Sequence, residues 1–293
     1  MTVIATRGSP LALAQAQIVL VEFRRLAPWL DVRLEVIDSD GDLNPEAAVP
    51  DLDGQGWFSS RLERALAEGR VDAAVHSAKD LPSQLPAGLR VGAYLEREDP
   101  RDALVTGAGL PWRALPAGAR VGTSSPRRAA QLQALRPDLE LVPMRGNLDT
   151  RLRRVAGGDI DAVPVAMAGL IRIGRPAEGQ LLDPQLECTP APAQGAIALE
   201  IRAGGDLADL AASLDDPTTR ICVEAERAVL AGMGGGCRLP LGALAEAVGD
   251  GDFALSVAWA PPDRPRDLLR RSGRSGAGGL RALAERLATE LRG

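Results

Sequence analysis

Apolar and polar residues follow two regular patterns along the first two thirds of this chain. Short apolar runs predict buried strands, and apolar positions three or four residues apart predict helices that pack one face on a sheet. The strands are predicted at residues 2–6, 32–37, 72–76, 120–122, 140–143 and 161–165, and the helices at 11–26, 58–68, 127–135 and 148–155. This alternation is typical of α/β domains with mainly parallel sheets.

The last third contains a returning strand and a change of pattern. A strand predicted at 196–201 follows the proline-rich residues 189–192 and could rejoin the first domain; these prolines and Asp99-Pro100 are candidate hinges. Beyond Pro217 we predict helices at 218–230 and 280–291, a glycine-rich run at 232–236, a strand at 253–259 and a loop at 272–279. We therefore predict three domains: α/β domain 1 (1–96 with 195–216), α/β domain 2 (97–194) and a small α+β domain 3 (217–293).

Two predicted strands lead into the same kind of helix opening. Residues 4–10 and 121–126 each pass from a strand into hydroxyl or basic residues and then into Ser-Pro. Serine is a favoured N-cap, and proline suits the first helical turn. Free N–H groups at such a terminus attract anions, so two similar domains could face one ligand cleft. Ser-Pro is also a common helix start without any ligand, and both interpretations stay open.

Composition excludes several classes of protein. The 293 residues are 45% hydrophobic and 25% charged, as in ordinary globular proteins, and the net charge of −5 argues against nucleic-acid binding. No apolar run reaches the roughly 18 residues of a membrane span, and the first residues do not resemble a signal peptide. Three widely spaced cysteines, Cys188, Cys222 and Cys237, favour a reducing compartment, and the chain has no zinc-binding pattern. We expect a cytoplasmic monomer without metal, nucleic-acid or membrane partners.

The only histidine and the only lysine of the chain lie close together, at His76 and Lys79. Ammonium is a compact charge and guanidinium a planar fork, so a tight site can accept one and reject the other. Lys79 could therefore contact a ligand, or a single lysine could stand there by chance. The adjacent Asp80 follows a predicted strand end, where it could stabilise a developing cation, pass a proton or be an ordinary turn residue.

Several arginines lie at or near predicted helix openings and strand ends. Two of them fall in the first turn of a helix, where cations oppose the helix dipole. A polyanion bound across them would explain this placement, because guanidinium groups bind carboxylate or phosphate in a bidentate way. The alternative is solvated surface arginine. The residues are Arg7, Arg127, Arg128, Arg145, Arg151 and Arg172.

Cys237 follows three glycines. Glycine removes side-chain cover, so the sulfur could reach a cleft and react there as a thiolate if the surroundings are electropositive. The alternative is a buried, inert thiol, as most free cysteines are, and Cys188 and Cys222 fit that description better.

Taken together, several segments resemble the porphobilinogen deaminase family over nearly the whole chain and in the order found in the family. They are residues 5–12, 75–82, 96–103, 121–128, 145–147, 194–196 and 235–237. The resemblance implies two α/β domains like type II periplasmic binding proteins, flanking a cleft, and a small C-terminal α+β domain. It also implies a transferase of tetrapyrrole (heme) biosynthesis that joins four porphobilinogen molecules into linear hydroxymethylbilane and releases ammonia.

The resemblance also implies roles for individual residues. Cys237 would carry a covalent dipyrromethane primer through a thioether. Asp80 would assist loss of the amino group and stabilise pyrrole cations. Carboxylates of the primer and the growing chain would be bound at or near Arg7, Ser9, Ser77, Lys79, Thr123, Ser124, Ser125, Arg127, Arg128, Arg145, Gly146, Arg151, Arg172 and Gln194.

The chain departs from the family pattern in the loop before the predicted helix at 58–68. Family members often have basic residues where this chain has Asp51, Gln55 and Ser60, and Ala78 replaces a frequent methionine. A charge-based hold on the growing chain by this loop is therefore not supported, but no proposed catalytic group is missing.

Two other interpretations compete with the deaminase. A non-catalytic solute-binding module would also have two facing α/β domains, but it would be expected to carry a signal peptide and to lack domain 3. A different enzyme could use Cys237 as a transient nucleophile and His76 as its base. Replacing His76 would abolish turnover in such an enzyme and would have a smaller effect in a deaminase.

Overall fold

A computed structural model of the chain describes residues 1–38, 60–107, 109–236, 239–261, 264 and 267–292. Cys237 and the loop residues Asp51 and Gln55 therefore lie outside the described residues, as do the first two residues of the helix predicted at 58–68. Contacts divide the chain into two compact units. Unit 1 comprises Met1–Glu98, Ala196–Arg220 and Gly235–Cys237, and unit 2 comprises Asp99–Gly195, Ile221–Gly234 and Arg238–Gly293.

The helices and strands follow the predicted alternation, with additional strands. The first part of the chain contains β1 (Thr2–Thr6), α1 (Pro10–Leu26), β2 (Val32–Val36), α2 (Ser60–Ala67), β3 (Ala73–Ser77) and β4 (Leu89–Tyr94). The middle part contains β5 (Asp102–Thr106), β6 (Arg120–Gly122), α3 (Pro126–Leu135), β7 (Glu140–Val142), α4 (Leu148–Ala156), β8 (Ala162–Ala166), α5 (Met167–Arg172) and β9 (Gln180–Leu181). The last part contains β10 (Ile197–Arg202), α6 (Ala208–Ala212), α7 (Pro217–Gly232), β11 (Leu241–Gly249), β12 (Asp252–Trp259), β13 (Leu269–Gly276) and α8 (Leu280–Arg292).

The sheet of unit 1 has the strand order β2-β1-β3-β10-β4. β1 pairs in parallel with β2 and β3, whereas β10 pairs antiparallel with β3 and β4. Successive residues of β1 point to opposite faces, so Ile4 packs in one apolar cluster with Phe23 of α1, and Ala5 packs in another with Leu66 of α2. Packing on both faces explains why every residue of β1 is buried and why its three central residues are apolar.

The α/β sheet of unit 2 repeats this arrangement with the order β7-β6-β8-β5-β9. β6 is parallel to β7 and β8, and β5 is antiparallel to β8 and β9. The antiparallel strand of each sheet comes directly after a point where the chain passes from one unit to the other, between Glu98 and Asp99 or between Gly195 and Ala196. The two α/β sheets therefore share one topology.

A third sheet, β11-β12-β13, is fully antiparallel and packs on α7 and α8. The prediction of a loop at residues 272–279 is wrong, because β13 pairs with β12 from Leu269 to Gly276. Gly273 belongs to this strand, and a Cβ there would lie 2.7 Å from Leu283 Cδ1 of α8. The glycine therefore permits close helix packing.

The predicted fold class is confirmed, with two α/β sheets and a smaller α+β part at the C-terminus. The second α/β sheet and the C-terminal sheet belong to the same compact unit, and the division into three domains stays a prediction. None of the helices within the described ranges combines the length and apolar character needed to cross a bilayer.

Gly242 of β11 shows how closely the C-terminal sheet approaches the segment after β9. A Cβ at Gly242 would lie 2.4 Å from the backbone oxygen of Thr189, and the neighbouring Ala243 N–H donates to Pro190 O at 2.9 Å. Gly242→Ala should lower the free energy of unfolding by roughly 1–3 kcal/mol, because a backbone atom cannot move aside easily. Gly278→Ala is the matched control, since nothing lies within 4 Å of a Cβ there. Equal denaturation midpoints for both variants would contradict this packing.

Candidate active site

A cavity of about 80 Å³ in unit 1 adjoins the C-terminal ends of β1 and β3. These parallel strands are neighbours, so the residues that follow them meet at one edge of the sheet, where ligands of α/β proteins bind. The structure thereby brings together four of the predicted site residues with two other polar side chains. The polar lining consists of Arg7, Ser9, Gln15, His76, Ser77 and Asp80.

Local sequence explains how these side chains reach the cavity. Ser9 is the N-cap of α1 and accepts the Ala12 N–H at 3.2 Å, and Pro10 occupies the first helical turn. A hydroxyl that accepts a backbone N–H still has its own proton to donate to a ligand. A short 3-10 helix, Ala78–Asp80, turns the chain at the end of β3 and leaves Asp80 exposed and Lys79 half-buried.

Gln15 was not predicted from the sequence. It is buried on the inner face of α1, among Ala16, Val19 and Phe23, and its Nε2 lies 2.9 Å from Ser77 Oγ. A polar residue on the otherwise apolar face of a helix is the signal that could have found it.

The hydroxyl residues of the second motif also support a helix opening. Ser125 is the N-cap of α3 and accepts the Arg128 N–H at 3.4 Å, while Thr123 Oγ1 accepts the Ser125 N–H at 3.2 Å. Ser124 Oγ accepts the Met144 N–H at 2.9 Å and thereby connects the helix opening to the segment after β7. The structure shows these local roles, and contact of these residues with a ligand stays a prediction.

Arg127 and Arg128 are both buried, with about 5% and 6% of their surfaces exposed, and both pair with the fully buried Asp102 at the start of β5. Arg128 Nη2 lies 2.7 Å from Asp102 Oδ1, and Arg127 bonds Oδ2 and also donates to Thr189 O at 2.8 Å. Burial alone would raise the pKa of Asp102, but the charges and hydrogen bonds of the two arginines outweigh it and hold that pKa well below its ordinary value. The carboxylate of Asp102 thus explains why two arginines can stand in the first turn of a helix even when no ligand is bound. One positive charge of the two arginines is still not balanced by Asp102.

Asp102 had no role in the sequence analysis, although it lies in one of the segments that resemble the family. An acidic residue at the start of a strand whose residues are all buried is the feature that could have identified Asp102. The same carboxylate accepts a hydrogen bond at 3.0 Å from Nε2 of the buried Gln194, which also donates to Pro100 O at 2.9 Å. The side chain of Gln194 is therefore engaged with the protein itself.

Arg151 carries the clearest electrostatic sign of a site for anions. Burial, followed by the nearby charge of Arg128, lowers the pKa of Arg151 to about 10. A buried guanidinium with a second guanidinium nearby forms a place where a carboxylate would be favoured. Arg151 Nε donates to Gly146 O at 2.9 Å, and Gly146 has φ of +104°, which favours glycine.

The two remaining arginines of unit 2 differ in exposure. Arg145 is exposed between β7 and α4, and Arg172 is half-buried at the end of α5, where Nη2 donates to Gly195 O at 2.6 Å. Both stay candidates for binding carboxylates.

The glycine run before Cys237 has an unusual backbone. Gly234, Gly235 and Gly236 have φ of +97°, +71° and +103°, a region that residues with a Cβ rarely adopt. The run therefore requires glycine for its conformation. Cys188 and Cys222 are buried, as expected, and burial, followed by the charge of Asp102, raises the pKa of Cys188 to about 12. Cys188 is therefore not suited to act as a thiolate.

Comparisons with known proteins cover almost the whole chain. Residues 2–209 match the family model described as "Porphobilinogen deaminase, dipyromethane cofactor binding domain", and residues 220–292 match "Porphobilinogen deaminase, C-terminal domain". The chain belongs to the porphobilinogen deaminase family. A porphobilinogen deaminase from Roseiflexus castenholzii is 46% identical over 287 residues, which cover 97% of this chain and 94% of the relative. One from Mycobacterium leprae is 47% identical, covering 98% of this chain and 93% of the relative. These matches confirm the resemblance.

Among solved structures, a periplasmic substrate-binding protein of an ABC transporter from Coxiella burnetii has a TM-score of 0.45 and 16% identity, over 75% of this chain and 94% of that protein.

The described residues fit the anionic cofactor that the family model names. Each unit taken by itself offers groups that suit carboxylates: unit 1 has the helix opening at Ser9, and unit 2 has the helix opening at Ser125 and the cations Arg128, Arg145 and Arg151. Cys237, the predicted attachment point, lies outside the described residues and keeps that role as a prediction.

Proposed function

We propose that this protein is a hydroxymethylbilane synthase (porphobilinogen deaminase). It joins four porphobilinogen molecules into linear hydroxymethylbilane, releases ammonia, and acts in tetrapyrrole biosynthesis. Membership of the family over both of its domain models is the observation that carries the proposal. A dipyrromethane primer bound by a thioether to Cys237 supplies the chain end from which the product grows.

Asp80 is the residue that we place at the reacting carbon. Loss of ammonia leaves positive charge on the pyrrole, and a carboxylate next to it lowers the energy of that charge. Asp80 is exposed at the cavity, at the end of β3, where substrate can reach it. Arg7 lines the same cavity, where its guanidinium would hold a substrate carboxylate and so orient the ring.

Unit 2 supplies the second group of carboxylate-binding residues. Arg128 and Arg151 would share a carboxylate that relieves their mutual repulsion, and Arg145 would hold another. Lys79 and Ser77 in unit 1, and Thr123, Ser124, Ser125, Arg127, Arg172 and Gln194 in unit 2, would complete the binding of the acetate and propionate groups. We further propose that the enzyme works as a cytoplasmic monomer on porphobilinogen, without nucleic-acid or membrane partners.

The intact mass of the purified protein, measured beside that of Cys237→Ser, tests the proposed function. We expect a mass excess equal to one dipyrromethane that is absent from the variant. Incubation with porphobilinogen should add further pyrrole units only to the protein that carries the primer. A mass that stays unmodified after this incubation would favour a binding protein or a different cysteine chemistry.

Arg145→Leu should impair primer loading or elongation by about 10- to 100-fold, the usual effect of losing a charge-assisted hydrogen bond. Arg281→Leu is the control, because this exposed arginine on α8 pairs with Glu285 at 3.2 Å and has no proposed role in the site. Normal loading and elongation in Arg145→Leu would remove Arg145 from the site.

Arg127→Leu should impair loading too, but it also removes a charge partner of the buried Asp102, so its stability must be measured beside its activity.

A further inference from the structure

A buried pair of titratable residues, His76 and Glu200, borders the cavity and has no part in the mechanism above. His76 Nε2 lies 3.0 Å from Glu200 Oε2. Glu200 is fully buried, and the side chain of His76 is about 5% exposed. The other carboxyl oxygen of Glu200, Oε1, has no hydrogen-bond partner among the described residues.

The strand register brings this pair together. His76 of β3 lies opposite Ala198 of β10, and Glu200 is two residues further along β10, so both side chains stand on the same face as diagonal neighbours. The pairing of β10 with β4 also shifts register between Leu199 and Glu200. Such irregularities re-aim side chains and are frequent beside active sites.

Burial restricts the protons that the pair can hold. A carboxylate with a single hydrogen bond and no access to water is costly unless a cation balances it. Two arrangements leave the pair without net charge and leave no hydroxyl proton on the partnerless Oε1 of Glu200: protonated Glu200 donates a hydrogen bond from Oε2 to neutral His76, or ionised Glu200 accepts a hydrogen bond from imidazolium. In the first, Nε2 is the acceptor and the ring proton sits on Nδ1; in the second, both nitrogens carry protons. Nδ1 is a donor in both.

We propose that Glu200 holds His76 with a protonated Nδ1, which donates a hydrogen bond to a carboxylate of the substrate in the cavity. Arg7, Ser9 and the N-terminus of α1 offer an anionic group positive charge and donors on the lining of the cavity, while Asp80 is the one carboxylate among the described residues of that lining. His76 is then a binding residue, and Glu200 is a positioning residue that acts through it. The identification of the ligand as a substrate carboxylate rests on the proposed function, because porphobilinogen supplies that carboxylate. The proton on Nδ1 of His76 does not depend on the proposed function.

Because His76 is the only histidine of the chain, its ring nitrogens can be observed alone. In protein labelled with ¹⁵N-histidine, we expect the Nδ1 resonance of a protonated nitrogen, and we expect the Nδ1–H signal to shift when succinate, a plain dicarboxylate, is added. An unprotonated Nδ1 would overturn the proposal. A protonated Nδ1 that ignores succinate would overturn the carboxylate contact and would favour Asp80 as the acceptor.

Two substitutions test the roles of the two ring nitrogens of His76 separately. His76→Gln places an amide near the Nε2 position and can keep the contact with Glu200, whereas His76→Asn places an amide near Nδ1 and can keep a donor in the cavity. We expect His76→Gln to raise KM for porphobilinogen about tenfold with little change in kcat, the effect of one lost hydrogen bond. We expect His76→Asn to keep KM within about threefold of the wild type but to lower the melting temperature.

Glu200→Gln should also raise KM for porphobilinogen, because the amide of glutamine no longer determines which ring nitrogen of His76 carries a proton. Wild-type KM in both His76→Gln and Glu200→Gln would mean that the pair is only structural, and the proposal would be wrong. Loss of turnover in every His76 variant would instead favour His76 as a base. If the wild-type protein does not consume porphobilinogen, the proposed function fails, and the nitrogen resonances with and without succinate still decide the inference.

Discussion

Asp80→Asn should reduce turnover of porphobilinogen by at least about a hundredfold while leaving the primer attached to the protein. Asparagine has nearly the same shape as aspartate, so the 3-10 helix at Ala78–Asp80 and the cavity should keep their structure. The variant loses only the negative charge that stabilises the cation formed as ammonia leaves. Steady-state kinetics and intact mass on the same sample measure both parts of this expectation.

Asp209→Asn is the matched control, because it makes the same chemical change on α6, away from the residues that line the cavity. We expect it to behave like the wild type. Normal turnover in Asp80→Asn would remove Asp80 from the reacting centre. Loss of turnover together with loss of the primer would mean that Asp80 acts already during loading of the cofactor.

Two charged residues of the unit 1 cavity, Arg7 and Asp80, could be predicted from the sequence because each follows closely after a strand. Arg7 and Asp80 stand within three residues of the ends of β1 and β3, and a parallel pair of strands brings such positions to one edge. Gln15 and Glu200 could not be predicted in this way. Gln15 meets Ser77 across 62 positions of sequence, and Glu200 meets His76 across 124, so only the packing of α1 and β10 on β3 brings them together.

The additional strands of the fold were missed for a related reason. β5 begins with Asp102, a charged residue that local pattern places in a loop, and its burial depends on Arg127 and Arg128 from α3. β13 is rich in Arg, Ser and Gly, and it is a strand because β12 offers a complete row of partners. Apolar periodicity therefore identified apolar strands such as β1, β3 and β8, whereas tertiary contacts decide strands that contain charged or polar residues.

Asp102→Asn should lower the free energy of unfolding at pH 7 by about 3–5 kcal/mol, because it leaves two buried guanidinium groups without a balancing charge. The substituted amide would still accept one hydrogen bond, but Arg127 and Arg128 would repel each other in a site with little access to water. Denaturant unfolding of the variant and the wild type measures the effect. Primer loading should fall as well, since Asp102 also orients Gln194.

The pH dependence of this loss identifies its electrostatic origin. The folded-state pKa of Asp102 lies below its unfolded value of about 3.9, so the carboxylate contributes its full stability above about pH 4 and loses that contribution as the pH falls toward the folded-state pKa. The stability difference between wild type and Asp102→Asn should therefore be largest at neutral pH and shrink below about pH 4. Asp138→Asn, which removes an exposed carboxylate paired with the half-buried Arg136, should leave stability nearly unchanged at neutral pH. A difference for Asp102→Asn that is the same at pH 7 and pH 3 would point to lost packing, and the two arginines would then be held by something other than the charge of Asp102.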